Sequence, residues 1–418
     1  MRRSHDAQRR REDTNESARH ENTRGTPCRL ANRELSKVFE QMIVLPAHSV
    51  RAIRFTRAVA SPFVAYDKRR VMGTSRSSCE ASTRLGSGSA TTSNALYRPE
   101  SEVLLASSFG SQHIWKQRLE DRGLTVRLPG EDTSKVELGI VFNHPPGVLD
   151  DVENLKAVQS LGAGVDFMMQ DESILRRNVP LLRIVDPLMA DRMATFCVWA
   201  TMNFQRKCDE YFRAQLECRW DKSVENYKNI DNHEMRVGVM GLGLMGAKVA
   251  KTLAGLGYEV YGWKRTDKQD WYDLEAAGVR IYRGEDEFLT FASKSLVVIN
   301  LLPLTEETRG ILNARLFNSM PKGGAVMNLA RGAHLVANDL LDALASGQLE
   351  HAVLDVFVKE PLPETCPFWK HPKVRVFPHM SSVTDIPNGI EQILRNRELV
   401  LKGEPLPPGV QAVAERGY

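Results

Sequence analysis

The sequence predicts an α/β protein: two doubly wound parallel-sheet domains with an interdomain cleft, preceded by a disordered N-terminal extension. Three observations carry that prediction. From Arg98 onward, short apolar runs alternate with helical patterns, as in β/α units around parallel sheets. One such run enters the glycine-rich hexad Gly241-Leu242-Gly243-Leu244-Met245-Gly246 just before a helical pattern. Residues 1–97 lack Trp and hold 20 Ser and Thr, too polar a composition to offset chain entropy by burial.

The chain has 418 residues, enough for two or three domains. It is 42% hydrophobic and 26% charged, so a sizeable core is expected. No apolar run approaches the ~20 residues that cross a bilayer, which excludes a membrane-spanning helix and predicts no membrane partner. Six cysteines with no C-x-x-C pair argue against a disulfide framework or zinc ribbon, predict no metal, and favour a reducing compartment.

The net charge of +4 is uneven. Residues 1–97 carry 18 Lys and Arg against 9 Asp and Glu, and residues 98–418 carry 38 against 43. The body is therefore mildly acidic, and no nucleic-acid partner is expected. Within the leader, residues 1–41 mix both signs and read as a disordered tail or a mistaken gene start. Residues 42–97 have 8 basic and only 2 acidic residues, with Arg51, Arg54 and Arg57 at intervals of three. That profile fits an organellar (mitochondrial or plastid) transit peptide as well as it fits a disordered tail; the compartment is then organellar or cytoplasmic.

In the body, strands are predicted at residues 103–106, 138–142, 156–158 and 181–185, and a helix near 112–122. Pro187 opens one long helical stretch to about residue 216. Polar residues 217–234 lead to a second series of six strands, at 235–240, 259–263, 296–302, 325–329, 351–357 and 374–377. A helix at 390–402 and a Pro-rich end close the chain. Cys197, Cys208 and Cys218 read as packing residues of the long helix.

The hexad has the strand–turn–helix context of a dinucleotide site, with Val249, Leu253 and Leu256 as the inward helix face. Gly241 permits the tight turn, Gly243 lets a pyrophosphate approach the backbone, and Gly246 allows close helix–strand packing. The first helical N–H groups, at Leu244 and Met245, would face phosphate. An NAD-selective acid is expected about 20 positions on. The next strand instead ends Trp263-Lys264-Arg265-Thr266, so two cations predict NADP(H) as preferred, with NAD(H) possible.

Arg331, Glu360 and His379 stand at or just beyond the C-terminal ends of predicted strands, where open α/β sheets bind ligands. Each has a bland reading: a surface ion pair, a turn residue, a structural histidine. Their order after a dinucleotide turn suits one chemistry.

The chain resembles the D-isomer-specific 2-hydroxyacid dehydrogenases, closest to the glyoxylate/hydroxypyruvate reductase subgroup, over about residues 100–418. The resemblance rests on Leu161-Gly162-Ala163-Gly164-Val165-Asp166, the hexad, Asn300-Leu301-Leu302-Pro303, Asn328-Leu329-Ala330-Arg331-Gly332, Leu354-Asp355-Val356-Phe357, Glu360-Pro361-Leu362, Pro378-His379 and the closing Glu415-Arg416-Gly417-Tyr418. It implies two Rossmann/flavodoxin-like domains, residues 98–205 plus 381–418 for a small 2-oxo or 2-hydroxy acid and 206–380 for the dinucleotide, in a homodimer. It implies that Arg331 binds the carboxylate and 2-oxo oxygen. His379 would be the general acid and Glu360 its imidazole partner, since an adjacent carboxylate keeps such an acid loaded. Ala163 and Gly164 would hold the carboxylate through backbone N–H groups. Leu302, Pro303 and Ala330 would line the cofactor cleft, with Asp355 near the nicotinamide. Similar reductases can carry Trp before His-Pro-Pro; here Phe142-Asn143-His144-Pro145-Pro146 has none, and Phe142 or Asn143 would line the pocket, or the loop is only a turn.

Two other readings share these residues. The hexad also resembles the opening of β-hydroxyacid dehydrogenases, which place it near the chain start and use a lysine in a Gly-rich helix. Dinucleotide-sensing corepressors on the same scaffold can keep the Arg, Glu and His.

Overall fold

The structure is a computed structural model and describes residues 102–108, 110–222, 231–265 and 273–413. The basic leader, Thr266 and the closing Glu415–Tyr418 tetrad lie outside the described residues. These residues form two fully parallel sheets. The first contains β1 (Glu102–Ser107), β2 (Thr125–Arg127), β3 (Val136–Phe142), β4 (Ala157–Ser160) and β5 (Leu181–Leu182), in the order β2-β1-β3-β4-β5. The second runs β12-β11-β10-β9-β6-β7-β8: β6 (Arg236–Met240), β7 (Glu259–Lys264), β8 (Arg280–Arg283), β9 (Val297–Asn300), β10 (Gly324–Asn328), β11 (Leu349–Leu354) and β12 (Val374–Val376). Both orders reverse beside the first strand of their sheet, the place where doubly wound sheets open a ligand crevice at their C-terminal edges.

The central strands are buried on both faces. Val297–Asn300 and Gly324–Asn328 are wholly buried, which explains their unbroken apolar runs. The two strands that sequence reading missed are edge strands. β2 is a three-residue piece, and β8 reads Arg-Ile-Tyr-Arg; neither presents an apolar run. The second sheet therefore has seven strands, not the six expected.

The predicted helix is present as α1 (Gln112–Asp121). The short α2 (Asp166–Met169) and α3 (Glu172–Leu175) follow β4. The long stretch after Pro187 is two helices, α4 (Pro187–Gln205) and α5 (Cys208–Leu216). Lys207 separates them with a left-handed φ of 53°, a break that no glycine or proline announces. Met193, Ala194, Cys197, Ala200 and Phe204 of α4 share one core with Val237, Val239 and Ile299 of the second sheet. Burial pushes the Cys197 thiol up and keeps it inert. Cys218, expected in packing, is exposed. In α6 (Leu244–Gly255), Val249 and Leu253 are buried as predicted, whereas Leu256 caps the C-terminus and is exposed. The remaining helices are α7 (Phe288–Lys294), α8 (Ala314–Ser319), α9 (Ala337–Ala345) and α10 (Ile386–Lys402).

The tail returns to the first sheet. Ile390 and Ile393 of α10 join the core with Val103, Leu105 and Ile140. Thr384 Oγ1 donates to the Leu161 carbonyl at 2.9 Å, and Asn396 Nδ2 donates to Gln159 Oε1 at 2.9 Å. Among the described residues, no helix is long and apolar enough to cross a membrane.

Gly389 of α10 packs closely on α1. A Cβ there would stand 2.7 Å from Cη2 of the buried Trp115. Gly389→Ala is expected to lower folding stability by about 1–3 kcal/mol, the usual cost of overpacking, read as a lower urea midpoint at unchanged m-value.

Candidate active site

The hexad turns between β6 and α6. Gly241 sits at φ 90°, and an added Cβ would meet the Leu301 carbonyl oxygen at 2.8 Å. An added Cβ at Gly246 would overlap the Gly241 carbonyl oxygen. At Gly243, nothing lies within 4 Å of where a Cβ would stand. Two glycines are thus demanded by backbone packing, and the third leaves an open approach to the helix start. Leu244 and Met245 form the first turn of α6, and Gly243 provides no side-chain cap. These orphan N–H groups fit a pyrophosphate. Met245 packs against the cores of both sheets.

Lys264 ends β7 and Arg265 follows it, half-buried. Arg265 Nη1 lies 2.9 Å from Glu307 Oε2. Thr305 leads the influences that hold the Glu307 carboxyl below its ordinary range, with its own backbone N–H and the Arg265 charge adding to it.

Arg331 follows β10 and points toward the first sheet. Its Nε donates to Asp166 Oδ1 at 2.8 Å, and its Nη1 to the Ala330 carbonyl at 2.8 Å. An added Cβ at Gly164 would overlap Nη2 of the guanidinium. Ser160 Oγ fixes this turn by donating to the Gly164 carbonyl at 2.8 Å and accepting from Gly162 N–H at 3.1 Å. Ala163 packs on the first-sheet core. Asp166 belongs to a motif quoted above, but its pairing with Arg331 is not apparent from sequence, because 165 positions separate them.

The Arg331–Gly332 turn rests on the chain that carries Glu360: an added Cβ at Gly332 would overlap the Phe357 backbone. Glu360 Oε1 accepts from Phe357 N–H at 2.8 Å, and Oε2 lies 2.9 Å from His379 Nδ1. Burial pushes the Glu360 carboxyl up, but the His379 hydrogen bond, the Phe357 N–H and the charges of His379 and Arg331 outweigh it and hold the group below its ordinary range. His379 takes a left-handed φ of 53°, uncommon for a residue with a Cβ although histidine is among the types found there most. Its N–H donates to the Asp355 carbonyl at 2.8 Å, and the buried Asp355 carboxylate accepts from Met380 N–H at 2.8 Å and Ser381 N–H at 3.0 Å. Asp355 therefore holds the His379 turn.

Leu302 and Ala330 are buried beside this group, and Pro303 is half-buried. Sequence reasoning missed the polar network beneath them. Asn300, Asn328 and His334 are fully buried and joined by hydrogen bonds of 3.0 Å. On the first sheet, Phe142 packs on Phe167 with centroids 5.2 Å apart. Asn143 is exposed at φ 46°, and the buried His144 Nε2 lies 2.9 Å from Asp171 Oδ2.

The fold and this constellation define a dinucleotide-dependent oxidoreductase with two parallel sheets. A family model described as D-isomer specific 2-hydroxyacid dehydrogenase, NAD binding domain, matches residues 198–381. A glyoxylate/hydroxypyruvate reductase A from Serratia proteamaculans is 38% identical over 301 residues, covering 70% of this chain and 91% of that protein. The D-isomer specific 2-hydroxyacid dehydrogenase of Xanthobacter autotrophicus, solved with NADPH and MES, superposes with a TM-score of 0.68 at 35% identity, over 76% of this chain and 100% of that one. The NADPH-dependent glyoxylate/hydroxypyruvate reductase of Sinorhizobium meliloti, solved with NADP and sulfate, gives a TM-score of 0.68 at 28% identity over the same shares. The chain belongs to the D-isomer-specific 2-hydroxyacid dehydrogenase family.

Burial draws the His334 imidazole down to about 4, opposed by its bond to the Pro303 carbonyl and aided by the Arg331 charge. Burial also draws His351 down to about 4, opposed by Asp209 and aided by Arg375 and Lys207. Both titrate near 6.5 when unfolded. Their stabilising contribution is therefore full above about pH 6.5 and is lost as pH falls toward 4. Urea unfolding curves recorded down this range should lose stability on the order of a few kcal/mol; a flat midpoint contradicts the assignment.

Proposed function

We propose that this protein reduces glyoxylate to glycolate and hydroxypyruvate to D-glycerate, with NADPH preferred and NADH accepted, and that Arg331, Glu360 and His379 carry the chemistry. The observation that carries this reading is the single Glu360 carboxylate, which binds His379 and feels the Arg331 charge across the Phe357 turn. The names and bound cofactors of the relatives support the substrate and dinucleotide. The reductase names of the relatives favour an enzyme over a sensor, since a sensor on this scaffold can keep the same Arg, Glu and His.

When bound, the dinucleotide supplies the hydride that reaches C2 of the oxo acid. Arg331 binds the substrate carboxylate and 2-oxo oxygen through the part of its guanidinium that Asp166 leaves open. The Ala163 and Gly164 backbone N–H groups hold the carboxylate's other side. His379 gives the proton on Nε2 to the carbonyl oxygen, while Glu360 holds Nδ1 and stabilises the charged ring. Asp355 positions this imidazole beside the nicotinamide. Gly241, Gly243, Leu244, Met245 and Gly246 hold the pyrophosphate, and Leu302, Pro303 and Ala330 line the nicotinamide side. Lys264 and Arg265 take the 2′-phosphate, with Arg265 exchanging Glu307 for it.

We assign residues 98–205 with 381–418 to the oxo acid and 206–380 to the dinucleotide; α4, at the end of the first span, reaches across and packs into the second sheet's core. Closure of the cleft would exclude water from the reacting atoms. A homodimer accounts for Trp199 and Met202 on α4 and Phe212 and Leu216 on α5, all large, apolar and exposed.

His379→Ala is expected to cut NADPH-dependent glyoxylate turnover by about 10²–10⁴-fold while NADPH affinity holds. Arg331→Lys should chiefly raise KM for the oxo acid, because an ammonium cannot replace a planar fork. Lys264→Ala with Arg265→Ala should weaken NADPH by about 10–100-fold and leave NADH nearly unchanged, measured by nucleotide fluorescence titration. Equal weakening of both nucleotides refutes the phosphate assignment.

A further inference from the structure

The end of β9, the end of β10 and the one-turn helix Gly332–His334 meet in a buried polar knot. Asn300 Nδ2 donates both to Asn328 Oδ1 and to His334 Nδ1, each at 3.0 Å. Asn300 Oδ1 accepts from Leu302 N–H at 3.2 Å, and Asn328 Nδ2 donates to the Arg331 carbonyl at 2.9 Å. Because His334 Nδ1 receives an amide proton, the ring proton stands on Nε2, which lies 3.3 Å from the Pro303 carbonyl. That carbonyl also accepts from Thr308 Oγ1 at 2.7 Å. The arrangement works only with a neutral ring: a proton on Nδ1 would confront the Asn300 amide donor. One imidazole thus touches two limbs: Nδ1 meets Asn300, which leads through Asn328 to Arg331 and also holds Leu302 N–H, and Nε2 meets the Pro303 carbonyl directly.

We propose that His334 is a positioning residue, a buried neutral imidazole that fixes the Arg331 turn and the Leu302–Pro303 loop in register with each other. The inference rests on the reading above that Arg331 receives the oxo-acid carboxylate and that Leu302 and Pro303 line the cofactor cleft. The two ring nitrogens serve different limbs, so their loss should separate. Asn at 334 places a carbonyl oxygen near the Nδ1 position and keeps the Asn300 bond. Gln places an N–H near the Nε2 position and keeps the Pro303 bond.

The test measures binding, independent of turnover: NADPH by fluorescence, and oxalate, an unreactive dicarboxylate, on the NADPH complex. His334→Asn is expected to weaken NADPH by about 2–10-fold and leave oxalate unchanged. His334→Gln is expected to weaken oxalate by more than it weakens NADPH, since the Asn300 amide it releases leads to Arg331 and also holds Leu302 N–H. Asn328→Ala, which severs only the Arg331 limb, should follow His334→Gln. Reversible partial unfolding raises an apparent dissociation constant by the inverse of the folded fraction, so the folded fraction of each variant is measured by circular dichroism and divided out. If the His334 variants move both ligands by the same factor or move neither, the imidazole is a packing residue and the proposal is overturned. Wild-type protein that binds NADPH but neither binds oxalate nor turns over an oxo acid overturns the substrate reading instead, while the NADPH arm still decides the Pro303 limb.

Discussion

Arg331 is gripped from both sheets. The loop after β10, to which it belongs, supplies the Ala330 carbonyl, and α2, which follows β4 of the first sheet, supplies Asp166. Gly164 lies so close that no side chain could stand there. Charge-assisted hydrogen bonds of this kind are each worth roughly 1.5–3 kcal/mol, and here they also set orientation. With Nε and one face of Nη1 engaged, the guanidinium cannot swing. The remainder of the site is arranged around it: Gly332 beds on Phe357, Phe357 binds Glu360, and Glu360 binds His379.

The imidazole is held by a different device. His379 adopts a left-handed backbone, uncommon for a residue with a Cβ though less so for histidine than for most, and its surroundings hold it there. Asp355 provides that control. Its carbonyl fixes the His379 N–H, and its buried carboxylate holds the next two backbone N–H groups. A carboxylate that touches no reacting atom can therefore matter as much to the imidazole's aim as Glu360 does to its charge.

Much of this was legible in the chain. The central strands announce themselves because burial on both faces leaves no room for polar residues, and the hexad announces a turn because two of its glycines have backbone where a Cβ would be. The edges were silent for the converse reason. β8 carries arginines at both ends since one side meets solvent, and the Lys207 break uses an ordinary residue in a conformation that only its surroundings enforce. Motif residues such as Asp166, Asn300 and Asn328 were visible as letters without a partner.

By itself, the order of residues determined the α/β class, the glycine turn, the cations at the end of β7 and the identities of Arg331, Glu360 and His379. These are local properties, written in periodicity, glycine placement and side-chain chemistry. Tertiary structure alone decided which groups face each other: Asp166 with Arg331, Asp355 beneath His379, His334 between Asn300 and the Pro303 carbonyl. Hydrogen bonds have a range of about 3 Å, whereas these partners stand tens to hundreds of positions apart. Only the winding of two parallel sheets brings their C-terminal edges, and hence their loops, to one place.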